Sequence, residues 1–369
     1  MKKVKKVEDR ARKVLIGVRV LATVLAVVGA ACGTTPATSS RGDRILRLLV
    51  WEGYANDEWV KPFEDRYDVD VVVTYMGSDD EQFAKMRAGG GTNYDLVSPN
   101  QANLPLYRKE GLIAPIDESR LKNYANVIPE LRDLRYRLED GKLWGAPYVW
   151  GANPLMYNPA EIDTPPTSWN DLWDPKYKGK VIMPDDAILN TSVAALALGF
   201  SDPFNLTDDQ LEKVKEKLLE LKPNILTYYT GFGDAANLMA SGEAVIGMSI
   251  GSLIVKQAAD QGTEIVETVP KEGAISWLDT WAITKGGENK LDLVYDWLNY
   301  TLTPEVQAQV VEANQFGGVV DLTGKVDPSL LKITHMDDPS FLASLIPQVL
   351  PESIEKRQEI FNEVKTAGA

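Results

Sequence analysis

The stretch ILRLLVWEGYANDEWVKPFEDRYDVDVVVTYMGSDDEQFAKM, residues 45–86, decides the fold. Its opening, Ile45–Trp51, is apolar and strand-length, and Gly53 marks a turn. Asp57–Tyr67 then carries helical spacing, and Val69–Tyr75 (VDVVVTY) returns to β-branched residues. Ser78-x-x-Glu81 is a capping-box signature: the serine can accept from an orphan N–H while the glutamate reaches back, which predicts a helix to Met86. Asp95–Ser98 reads as a third short strand. Crossovers of helical length in a β–α–β–α order predict a mainly parallel sheet covered on both faces.

The same grammar continues toward the C-terminus. Lys180–Met183 is a strand ending at Pro184, and Thr207-x-x-Gln210 opens a helix that runs to Leu221, with Asp208 and Asp209 suited to its positive end. Ala244–Ser249 and Trp281–Thr284 read as strands, and Ser252–Gln261, Leu293–Leu302, Pro304–Asn314 and Glu352–Lys365 as helices. No internal repeat is visible. Two α/β lobes fit better than one large sheet, and ligands of open α/β sheets sit at the carboxyl ends of strands.

Residues 1–43 carry an address. Lys2, Lys3, Lys5, Lys6, Arg10, Arg12 and Lys13 make a basic head, and the apolar run Val20–Ala31 has twelve residues, too few to span a hydrocarbon core of roughly 30 Å. With the small-residue exit Gly29-Ala30-Ala31 this reads as a secretory signal, residues 1–31. Cys32, the only cysteine, follows directly; the arrangement resembles the bacterial lipobox, with Gly29 where leucine is usual, and marks Cys32 as a lipid-anchored N-terminus. Gly33–Arg41 (GTTPATSSR) has the composition of a flexible tether, which we take to cover 32–43. Removing residues 1–31, with eight basic and two acidic side chains, leaves 338 residues and takes the net charge from −14 to −20. So acidic a body argues against nucleic-acid binding, which needs a basic patch. No later apolar run approaches the length of a membrane span.

Metal and cofactor chemistry finds little support. His335 is the only histidine, and Asp79-Asp80 and Asp337-Asp338 lack a calcium-loop spacing, so both acidic pairs read as solvated caps. Gly89-Gly90-Gly91 lacks the ending of a phosphate-binding loop and reads as a turn. Gly247-Met248-Ser249-Ile250-Gly251 fits G-x-S-x-G, with His335 downstream in hydrolase order, but no oxyanion loop accompanies it. A secreted serine hydrolase using Ser249 and His335 is therefore kept as the minor alternative.

Aromatic residues and carboxylates gathering at strand ends are more coherent. Trp51 and Tyr54 follow the first strand, Asp185 and Asp186 follow Val181–Met183, and Trp277 and Asp279 stand beside Trp281–Thr284. Ring faces attract cations by about 0.5–2 kcal/mol each and cover methylene groups, while carboxylates add charge-assisted hydrogen bonds. That combination suits an aliphatic ammonium.

At these residues the sequence resembles the spermidine/putrescine-binding proteins of bacterial ABC transporters. The resemblance runs collinearly from about Ile45 to Val320, through Val50-Trp51-Glu52-Gly53-Tyr54, Tyr94-Asp95-Leu96-Val97-Ser98-Pro99, Pro147-Tyr148-Val149-Trp150-Gly151 and Ser168-Trp169-Asn170-Asp171-Leu172-Trp173. It continues through Tyr177-Lys178-Gly179-Lys180, Pro184-Asp185-Asp186-Ala187, Pro270-Lys271-Glu272-Gly273 and Trp277-Leu278-Asp279. It implies a two-lobed periplasmic-binding-protein fold of type II, hinged by crossing strands near Trp150–Asn158 and Asp279. Lobe I would comprise 44–150 plus 280–325, and lobe II 151–279 plus 326–369. Family contact positions fall on Trp51, Tyr54, Asp186, Trp277 and Asp279.

The chain also departs from the family pattern. Leu189 replaces a second acidic residue, Ala102 and Ser249 or Ile250 replace rings, and Phe316 stands for a tyrosine; Glu52, Asp185 or Asn100 are the candidates to compensate. The resemblance thus implies a monomeric lipoprotein on the extracytoplasmic or periplasmic face of the membrane. It would use no cofactor and no catalysis, and would hand a polyamine-like cation, or a different small solute, to ABC permease subunits.

Overall fold

The structure is a computed structural model and describes residues 44–132 and 141–367. The signal, Cys32 and the tether up to residue 43 lie outside the described residues. Strand β1 (Ile45–Trp51) is buried on both faces, with Leu46, Leu48, Leu49 and Val50 fully enclosed, as a run that is apolar except at Arg47 requires. β2 (Asp70–Met76) pairs with it in parallel from Ile45↔Asp70 to Trp51↔Met76, and β3 (Leu96–Val97) pairs in parallel on its other edge. β4 (Ile113–Ala114) and β5 (Ala146–Asn153) follow.

Past Pro154 the chain enters a second sheet, built from β6 (Leu155–Tyr157), β7 (Val181–Pro184), β8 (Ile225–Tyr229), β9 (Ile246–Met248) and β10 (Val266–Thr268) in the order β10-β6-β9-β7-β8. It returns through β11 (Ile275–Thr284), β12 (Gly317–Gly318) and β13 (Ile346–Pro347) to complete the first sheet, of order β12-β5-β11-β3-β1-β2 with β4 and β13 on β11. The fold is the expected two-lobed α/β architecture with crossing strands. The mainly parallel sheet is corrected: β5, β6, β10 and β12 pair antiparallel with their neighbours, and β11 does so with β3, β4 and β5. Parallel pairing survives where helices connect strands, as in β2-β1-β3 and β8-β7-β9. Strands that carry the chain between sheets have no helical crossover to reverse them.

Local signals explain most helix starts. Ser78 Oγ accepts from the Glu81 amide at 3.1 Å, while Glu81 Oε2 reaches one residue beyond the box and accepts from Gly77 N–H at 2.7 Å. Thr207 and Gln210 make both bonds of a full box at the start of helix 208–221. One core fills the first sheet and its helices; in it Trp297 meets Phe63 and Trp281 edge-on at 4.9 and 5.6 Å. A second gathers Leu155, Trp169, Val181, Met183, Val193 and Met248. The C-terminal tail divides between them. Val326, Leu330 and Leu345 join the first core, whereas Ile360 and Val364 of helix 354–366 pack with Ala194, Leu211 and Val214 of the second lobe.

Arg357 fixes that last helix. It is fully buried, and its guanidinium donates to Thr191 Oγ1 and to the carbonyls of Pro203 and Phe204, each at 2.8 Å, with Nε on Ser353 Oγ at 3.1 Å. Arg357→Met would leave those buried acceptors unpaired at a cost of about 3 kcal/mol. Thermal unfolding should show a midpoint several degrees lower, and an unchanged midpoint would mean that helix 354–366 is held by other contacts.

Candidate ligand-binding site

The site forms where the end of β1, the loop after β3, the end of β7 and the middle of β11 converge. β1 ends at Trp51, and Gly53 turns the chain with a left-handed φ of 86°. Asn314 Nδ2 donates to the Gly53 carbonyl at 2.9 Å, and a Cβ on Gly53 would collide with the Asn314 carboxamide, so only glycine fits. The turn delivers Tyr54, 3% exposed, whose hydroxyl donates to Asp279 Oδ2 at 2.6 Å. Its ring packs edge-on against Tyr148 at 5.4 Å and Phe316 at 6.5 Å.

Asp279 is 6% exposed and projects at an irregularity of β11, where pairing jumps from Asp279↔Val149 to Thr280↔Pro147 and leaves Tyr148 unopposed. Such a bulge re-aims a side chain. Asn100 bridges Asp279 on the other edge. Burial pushes the Asp279 carboxyl up to about 8; the charge of Asp79 adds to the rise, and hydrogen bonds from Tyr54 and Asn100 oppose it.

Trp277, two residues earlier on the same face, lies over Gly151 of β5, where a methyl group would strike its ring. Phe316 stands edge-on to it at 5.1 Å, and Phe232 follows at 5.8 Å from Phe316. Trp51 is half-buried, with its indole N–H shielded from solvent and no acceptor in reach.

From the second lobe Asp186 caps helix 187–197, its Oδ1 accepting from Leu189 N–H at 2.7 Å. Burial raises its carboxyl, the backbone amides of Leu189 and Ile188 lower it, and the charges of Asp80 and Asp185 raise it. The Leu189 side chain itself is buried in the second core. Of the candidate compensators, Asn100 lies at the cluster. Asp185 does not face it: its Oδ1 accepts from Lys365 Nζ at 2.6 Å. Glu52 is exposed and lies close enough to Tyr75 to raise its hydroxyl.

Asp79 went unrecognised in the sequence, where Asp79-Asp80 read as a solvated cap. The structure corrects this: Asp79 opens helix 79–88 at the carboxyl end of β2, and its Oδ1 is shut off from solvent without a hydrogen-bond partner. Burial first, then the charge of Asp186, pushes its carboxyl up to about 7 against a hydrogen bond from Asn103. The rule that ligands meet strand ends would have found it. Asp95 provides the contrast. It is fully buried, but Arg47 at 2.7 Å and Lys290 at 3.0 Å pair with it, and they outweigh desolvation and hold it below its ordinary range. Among the described residues no lysine or arginine pairs with Asp79, Asp186 or Asp279 in this way.

The hydrolase alternative does not assemble. Ser249 is fully buried, its hydroxyl donating to the Gly251 carbonyl at 3.2 Å and accepting from the Gly251 amide at 3.0 Å. His335 stacks face to face on Phe341 at 3.7 Å.

Comparison with known proteins gives the same direction. Residues 58–321 match a family model described as bacterial extracellular solute-binding protein. The spermidine/putrescine-binding periplasmic protein of Salmonella typhimurium is 33% identical over 292 residues, covering 78% of this chain and 81% of that protein. In fold, the spermidine/putrescine ABC transporter substrate-binding protein PotD of Streptococcus pneumoniae superposes with a TM-score of 0.75 at 22% identity, covering 87% of this chain and 98% of the other. The TpPotD lipoprotein of Treponema pallidum gives a TM-score of 0.75 at 21% identity, with 87% and 99% coverage.

A raised carboxyl makes a signed prediction. Asp279 is protonated in the fold below about pH 8 but ionised in the unfolded chain above about pH 4. Its protonation therefore stabilises the fold at low pH, and that stability is lost as pH rises through 8. Asp279→Asn, neutral throughout, should be more stable than the parent by at least about 1 kcal/mol at pH 9, read as a higher unfolding temperature, with a smaller gain at pH 6. A difference independent of pH would contradict the assignment.

Proposed function

This chain belongs to the bacterial extracellular solute-binding proteins, and on that premise we propose that it captures a polyamine-like cation between its lobes and presents it to an ABC permease. The observation that carries the reading is a set of carboxylates, the buried Asp279 on β11 and the half-buried Asp79 after β2 and Asp186 after β7, walled by Trp277, Tyr54 and Phe316 and lacking a basic partner among the described residues. A buried carboxylate without a counter-charge either takes up a proton or recruits a cation. Aliphatic ammonium groups meet this need, and ring faces cover the methylenes between them.

Capture and closure are one event. In the open form each carboxylate is hydrated, so closing the cleft around nothing costs desolvation and repulsion, while closing around a cation replaces water by opposite charge. The closed population then follows ligand occupancy, and the permease can read shape alone. The hinge is β5 running through Pro154 into β6, with the return at β11. We take residues 1–31 as the export leader and Cys32 as the lipid-bearing residue that keeps a monomeric receptor beside its permease; the similarity to the periplasmic binding protein of Salmonella typhimurium and to the Treponema pallidum lipoprotein supports this reading.

Two variants test the reading. Asp279→Asn should weaken spermidine and putrescine binding by at least about tenfold in calorimetry at pH 8 or above, where loss of the counter-ion dominates. Unchanged affinity would remove Asp279 from the site. Trp277→Ala should lower amine affinity by several-fold while the ligand-free thermal midpoint stays within a few degrees; a variant that fails to fold would mark Trp277 as core instead.

A further inference from the structure

Resting on the amine-binding reading above, we propose that Asp79 is the central carboxylate of the site and selects ligands that carry a positive charge in the middle of their chain. The outer carboxylates are already held by the protein. Asp279 receives the Tyr54 hydroxyl at 2.6 Å, and Asp186 receives the Leu189 amide at 2.7 Å. Asp79 differs: Asn103 holds one side of its carboxylate, but its Oδ1 is sealed from water and faces no donor.

Its position is intermediate. The charge of Asp79 acts on Asp279 and on the Tyr54 hydroxyl, and the charge of Asp186 acts on Asp79 in turn. Asp79 follows β2 and Asp279 stands on β11, both of the first sheet, and Asp186 follows β7 of the second, so the charge of Asp79 lies within reach of a carboxylate on each sheet. The helix that presents it is capped at Ser78 and pinned through Glu81 to Gly77, and Asn103 from the loop after β3 hydrogen-bonds its carboxylate. Position 189 is a leucine enclosed in the second core, so no second carboxylate joins Asp186 from that helix turn. Asp79 brings the missing charge from the opposite lobe.

A linear triamine has two terminal ammonium groups and a secondary one between them, and that inner nitrogen offers two N–H donors. With terminal groups at Asp279 and Asp186, the inner N–H groups meet the bare Oδ1 of Asp79. A diamine satisfies the ends only. Asp79 must then hold a proton, which its carboxyl does readily near neutral pH, so a diamine binds but gains nothing from Asp79.

The test is calorimetric titration of the full chain and of its Asp79→Asn variant with spermidine and with putrescine at pH 8. The variant should lose at least about tenfold in spermidine affinity and less than about threefold in putrescine affinity. Removing one of the crowded carboxylates should also leave the ligand-free thermal midpoint equal or higher at this pH. Asp80→Asn, altering the exposed neighbour whose charge also reaches Asp186, should change both affinities by less than about threefold and to the same extent. Equal losses for the two amines would overturn the selective role, and unchanged affinities would leave Asp79 a helix-start residue. A lowered midpoint with loss of both ligands would assign it a structural role instead. If the parent chain binds neither amine, the amine reading fails first and this inference falls with it.

Discussion

The hydrogen bond from Tyr54 to Asp279 joins residues 225 positions apart, and the cleft is arranged around it. One partner stands beyond the end of β1, held by the Gly53 turn; the other stands on β11, aimed by the bulge opposite Tyr148. Neither strand could place its residue without the first sheet bringing β1, β3 and β11 side by side. The bond also keeps a carboxylate inside the protein without a basic neighbour. A neutral donor shares the desolvation of the charge but does not cancel it, so the charge stays available to a ligand.

The molecule treats its buried carboxylates in two ways. At Asp95 two cations close the account internally, tying β1, β3 and the start of helix 291–301 into one rigid unit. At Asp79, Asp186 and Asp279 the compensation is left to something from outside. The same physics yields a structural clamp in the first case and a binding site in the second. Rings finish the site: Trp277, Phe316, Phe232 and Tyr54 form a continuous series of edge contacts. They exclude water, strengthening each carboxylate's hold on a cation, and give the alkyl segments a surface.

Much of this was legible in the sequence wherever the cause is local. β1 and the helices 57–67 and 304–314 fall at the residues their patterns mark, because apolar period and the proline at 304 act within a few residues. The two-residue strands β12 and β13 left no pattern, since they exist only by pairing with β5 and β11. Site residues followed the same division. Strand-end placement identified Trp51, Tyr54, Asp186, Trp277 and Asp279 as candidates, but Asp185 looked equally eligible and is instead paired with Lys365, 180 residues away. Asp79 was hidden by a correct local explanation: it does start a helix, and the shielding of its Oδ1 arises only in the tertiary fold. Phe232 gave no sign, because its nearness to Phe316 is wholly tertiary.

The central claim is that the carboxylates of the cleft are the counter-charge for an alkyl polyammonium ion. A crystal structure of the mature protein grown with spermidine tests it most directly. The account predicts an extended ligand between the lobes, with nitrogens about 3 Å from the carboxylates of Asp279 and Asp186 and its carbon chain against Trp277. A ligand bound elsewhere, or a closed cleft whose carboxylates face only water, would contradict it.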